Sequence, residues 1–236
     1  MPPGQTNFQR TPVTLGDHPL TPTPSLRKLV CAARELAQQI ELLGGDWRTA
    51  ITTIRHEAPR LWHALPQDER RRFLRHVRSY WDAARHRLPG AVRARIEALH
   101  HNGQLKLHAG RLVGVAADDR DLVVRWQPRG QTLARELRVG EIANCTGPDY
   151  DVRRSREPLW RALLTRGAVV ADELGLGVRT AAHGALVDAH GHTQRHVYYI
   201  GPMLRADHWE VTAAAELRER AEELSRHLIV QDRTLS

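Results

Sequence analysis

The sequence predicts an α/β chain in which a helical block precedes a run of strands. Three observations carry that expectation. Residues 25–103 repeat apolar side chains at three- and four-residue steps, the period of helices packed on one face. After Gly103 the period drops to two, the signature of half-buried strands. Between Val139 and the C-terminus the order reads strand, Thr146-Gly147 turn, long excursion, strand, Gly201 turn and helix.

Residues 1–24 carry Pro2, Pro3, Pro12, Pro19, Pro22 and Pro24 and read as an extended lead-in. Thr23-Pro24 predicts the start of a first helix, with Thr23 as cap. Leu26, Leu29, Val30, Ala33, Leu36, Ala37, Ile40 and Leu43 form its apolar stripe, and Gly44-Gly45 ends it. Asp46 caps a second helix expected to stop before Pro59. Leu61, Trp62 and Leu65 are assigned to a short turn. A third helix is expected over 67–87, with Phe73, Leu74, Val77, Tyr80, Trp81 and Ala84 inward. Pro89 opens a fourth, with Val92, Ile96 and Leu99 inward. A three-part meander follows: Leu105 to Val115, then Leu122, Val124 and Trp126, then Leu133 to Ile142. A buried strand is expected over 196–200, and a last helix from Trp209.

Composition bounds the function classes. The apolar fraction is 41%, enough for a core. No stretch reaches the roughly twenty apolar residues of a membrane span, and residues 1–24 lack a signal-peptide core, so a cytoplasmic location is expected. The net charge of +8 admits an arginine-rich nucleic-acid module. Against that reading, only Lys28 and Lys106 are lysines, which fits an arginine-favouring coding bias, and the arginines alternate with acidic residues. Cys31 and Cys145 form no CxxC and are expected as free thiols. His56, His63, His76, His86, His100 and His101 lack metal-ligand spacing, so no metal site is assigned.

Several segments together resemble bacterial FAD/NAD(P)-binding proteins, flavoproteins of the glutathione-reductase type. They are Gly45-Asp46-Trp47-Arg48, Leu61 to Pro66, Arg72-Phe73-Leu74-Arg75-His76, Tyr80-Trp81-Asp82 and Arg85-His86-Arg87. They continue in Asn144 to Pro148, Gly175-Leu176-Gly177, Tyr199-Ile200-Gly201-Pro202 and Trp209 to Ala213. The resemblance spans about 25–228 and implies an incomplete Rossmann-like FAD-binding domain with a helical insertion and a β-meander. It implies a lead-in over 1–24, the insertion over 25–103 and the C-terminal part of the FAD/NAD(P) domain over 104–236. It also implies FAD reduced by NAD(P)H, with Thr146, Gly147, Pro148, Gly201, Pro202, Trp209, Glu210 and Thr212 near the flavin. Related flavoproteins often place Asp where Pro202 stands. The GxGxxG turn that cradles the pyrophosphate is missing from the 236 residues. The chain is therefore expected to be the C-terminal portion of a longer flavoprotein, with a separately encoded N-terminal half as a possible partner. No substrate or catalytic acid or base is identified. The rival expectation is a non-catalytic remnant without cofactor.

Overall fold

A computed structural model describes residues 19–118, 120–212 and 214–235. They form a mixed α/β structure with seven α-helices and two small antiparallel sheets. The described residues divide into two compact units, one made of those up to His86 and from Asp149 onward, the other of Arg87–Pro148.

The first unit begins with helix α1, Leu26–Leu42. Ser25, not Thr23, is its cap: the Ser25 hydroxyl accepts the Lys28 N–H, and the Thr23 hydroxyl accepts the Ser25 N–H. Helix α2, Arg48–Ala64, follows the Asp46 carboxylate, which accepts the Arg48 N–H at 2.9 Å. It runs through Pro59 instead of stopping before it. A helical proline costs about 3 kcal/mol, but ending there would expose Leu61 and Trp62, each 3% exposed in the fold. The expected third helix is two. Helix α3, Gln67–His76, and helix α4, Arg78–Arg85, meet at Val77, whose φ of −114° bends the chain.

After residue 148 the chain continues with a 3-10 turn, Val152–Arg154, and helix α6, Pro158–Thr165. The strands of this unit are short. Ala185–Val187 pairs antiparallel with Thr193–Tyr198. The expected buried strand over 196–200 is therefore displaced, and Val197 is 40% exposed. A 3-10 turn, Pro202–Ala206, leads through turn residues 209–212 to the last helix, α7, Ala214–Leu235, which starts later than expected.

Three buried clusters hold this unit. Leu26, Trp62, Leu65, Leu176, Ala206 and Trp209 form one. Leu20, Leu36, Ile40, Ala50 and Leu61 form the second. Val152, Val169, Val178 and Leu186 form the third.

The second unit contains helix α5, Gly90–His101, and a three-stranded meander of β1, Gly110–Asp118, β2, Asp121–Pro128, and β3, Arg135–Val139. The meander agrees with the sequence expectation, but Leu105, Leu107, Leu133 and Ile142 lie outside its strands. Val92 and Ile96, expected inward, are exposed at 44% and 38%. The strand pairs of both units are antiparallel; a parallel β–α–β pair is not found among the described residues.

No described helix is long and apolar enough to cross a membrane. Cys31 and Cys145 are free and exposed.

Candidate functional site

The strongest cluster of functional side chains surrounds the turn ahead of α7. Trp209 is buried and stacks on Trp62 with ring centroids 4.9 Å apart. Phe73 meets the same ring edge-on at 5.0 Å. The Trp62 indole N–H donates to the Ala206 carbonyl at 2.8 Å, fixing α2 to the 3-10 turn. Arg70 lies over Trp62 and Arg205 over Trp209, at 5.1 and 4.0 Å, so a cation abuts each ring of the stack.

Glu210, next in sequence, is also buried. One carboxylate oxygen accepts the Trp81 indole N–H at 2.6 Å; the other accepts the Arg85 guanidinium. Arg85 also reaches Glu216 at 3.8 Å, and Glu216 pairs with Arg55. An alternating chain of charges thus joins α4, the 209–212 turn, α7 and α2. Arg85 thereby neutralises Glu210. Trp81, expected in the core, is half-buried at its edge, because its N–H must reach Glu210.

The sequence-predicted site residues fall into two groups. Thr146, Gly147 and Pro148 lie in the second unit and are exposed. The Asn144 side-chain oxygen accepts both the Thr146 N–H and its hydroxyl, shaping a tight turn. Gly147 has φ +84°, and the space where a side chain would stand is open. Gly201, Pro202, Trp209, Glu210 and Thr212 lie in the first unit. Gly201 is buried, and a Cβ there would strike the Tyr199 ring, with Cζ at 2.7 Å. Pro202 is exposed, and the Thr212 N–H donates to the Glu210 carbonyl at 2.8 Å. Open backbone at Gly147 fits the approach of a flat ligand. Glu210 and Gly201 are spent on the fold and fit an indirect, positioning role.

An apolar cavity of about 60 Å³ touches Trp62, Trp81 and Trp209. It is far smaller than the roughly 300 Å³ at which small-molecule pockets begin, so it reads as a packing gap. Among the described residues, no group of three or more His, Cys, Asp or Glu side chains has metal-binding geometry.

Two further clusters escaped the sequence reading. Asp172 caps its own loop by accepting the Leu174 and Leu176 N–H groups, and burial with nearby Asp207 pushes its carboxyl pKa up. Asp207 in turn accepts the Thr180 N–H and hydroxyl. Around α7, His208 contacts His63 edge-on at 5.7 Å, while His183 stacks on His227 at 4.1 Å and reaches Glu223 at 3.4 Å. Burial, then Arg220 and His63, lower the His208 pKa. Nothing in the local sequence pattern brings these histidines together.

No protein-family model matches the chain, and no curated protein and no solved structure matches it.

Proposed function

We propose that this chain is the FAD/NAD(P)-binding portion of a flavin-dependent oxidoreductase. One observation supports the reading above others. Segments that carry the resemblance, far apart in sequence, converge on Trp209-Glu210: Leu61-Trp62 through the indole stack, Phe73 edge-on, Trp81 and Arg85 through Glu210. A motif set that packs together behaves as one structural unit, and the turn it fixes is the one the resemblance sets beside the flavin.

In this reading Thr146, Gly147 and Pro148, exposed around an open Gly147, offer backbone to the flavin. Trp209, Glu210 and Thr212 position the chain ahead of α7. The flavin itself supplies the hydride chemistry, taking hydride from NAD(P)H and passing electrons on. The pyrophosphate needs a glycine-rich turn, which these residues do not contain, so tight FAD binding requires one supplied from outside them.

The test is a fluorescence titration of the purified chain, expected to be colourless, with FAD and with riboflavin. Contacts confined to the isoalloxazine predict saturable and similar quenching of both. Gly147→Val should abolish it without changing the circular dichroism spectrum. Absence of saturable quenching by either flavin would overturn the proposal in favour of a chain without cofactor.

A further inference from the structure

The geometry points to a second ligand site, a groove between α1 and α3 that takes a small organic phosphate monoester with an apolar body. Its volume is about 420 Å³, within the range of small-molecule pockets. Arg27, Cys31 and Arg34 follow at helical spacing and line the α1 wall; Arg72 and His76, one turn apart, line the α3 wall. Leu26, Val30 and Val77 complete the lining and are apolar.

The charge of this groove is only partly compensated. Among the described residues no carboxylate lines it. Glu69, the acid next to it, is already engaged: one oxygen accepts the Leu26 N–H at 2.6 Å and the other the Arg72 guanidinium. Arg27, Arg34 and His76 make no ion pair or hydrogen bond among the described residues. The Arg27 and Arg34 guanidinium groups on one small groove match a dianion, because each presents paired donors to phosphate oxygens. The apolar lining favours a ligand whose remainder is hydrocarbon or aromatic. The groove's volume fits a small molecule rather than an extended polyanion, which needs a continuous basic track. None of these residues belongs to the turns assigned to the flavin, so the inference stands apart from the proposed function.

The two free thiols give an internal control. Cys31 lies on the groove wall, whereas Cys145 is exposed in the other unit. The full chain is alkylated with iodoacetamide in the presence of phenyl phosphate, and each thiol is followed by mass spectrometry. Phenyl phosphate should slow alkylation of Cys31 and leave Cys145 unchanged. Inorganic phosphate should need about tenfold higher concentration for the same protection, since it cannot use the apolar lining. Arg27→Gln with Arg34→Gln, both exposed and unpaired, should weaken protection by about tenfold or more. Equal protection of both thiols, or none, would overturn the site. Full protection by inorganic phosphate at the same concentration, or protection that survives the double substitution, would overturn the assigned ligand class.

Discussion

Glu210 takes two donors from α4 while 6% exposed, so removing either donor leaves a buried acceptor unsatisfied. Trp81→Phe keeps most of the ring and deletes only the N–H. It should lower stability by about 1–3 kcal/mol, the range for an orphaned buried polar group. The midpoint of urea unfolding reads this directly, and an unchanged midpoint would contradict the bond to Glu210. His208 makes a prediction in pH. Burial, with Arg220 and His63 nearby, depresses its pKa below 6.5, outweighing Asp207 and Glu223. The unfolded chain therefore binds a proton at higher pH than the folded one. The stability present above pH 6.5 should fall as pH drops below it, until the folded-state pKa is passed. His208→Gln should flatten that slope in thermal unfolding measured from pH 7.5 to 5.

At the scale of elements, the informative cases are those in which tertiary packing overrode local preference. α2 passes through Pro59 because Leu61 and Trp62 beyond it are buried. Pro59→Ala restores a donor to the Arg55 carbonyl and removes a ring clash, so it should raise stability by about 1–3 kcal/mol. A lower melting temperature for that variant would mean that the helix is adapted to its proline. The opposite sign is expected at Gly177. Its φ is +138°, and a Cβ would fall on the backbone of Met203, 2.6 Å from the carbonyl carbon, where Val178 N–H donates to that carbonyl. Gly177→Ala should cost about 2–4 kcal/mol, combining backbone strain with overpacking. Differential scanning fluorimetry distinguishes it from a neutral loop substitution.

At the scale of the whole molecule, the two units differ in how much they bury. All three apolar clusters draw their residues from the first unit. In the second, Leu112, Val113, Val115, Leu137 and Ile142 are exposed at 41–61%. Backbone amides of 110–139 should therefore exchange with deuterium faster than those of 26–64, because opening them exposes little additional apolar surface. Equal protection of the two segments would show that the meander is covered in solution. The basic charge is likewise dispersed. Arg48, Arg55, Arg60, Arg72, Arg78, Arg85 and Arg93 each pair with a carboxylate, which disfavours a continuous track for nucleic acid.

Local chemistry made much of this legible in advance. Apolar periodicity located α1 and α2, because burial of one stripe is what stabilises a surface helix, whereas the stripe expected on α5 is exposed. Twofold alternation located the meander, and Asp46 and Pro89 marked real helix starts. Of the candidate site, the sequence by itself named Trp209 and Glu210 and the turns at Gly147 and Gly201. It determined no partner for any of them. The tertiary structure alone decided that Trp81 and Arg85 close on Glu210, that Val77 breaks a helix, and that α7 begins at Ala214 after its turn. Spacing along a chain reports which face a residue occupies, whereas the contacts of Trp209 and Glu210 form between segments more than a hundred residues apart, as Trp81 and Glu210 are at a separation of 129 and Trp62 and Ala206 at 144. Local periodicity carries no information on such pairings, and packing determines them.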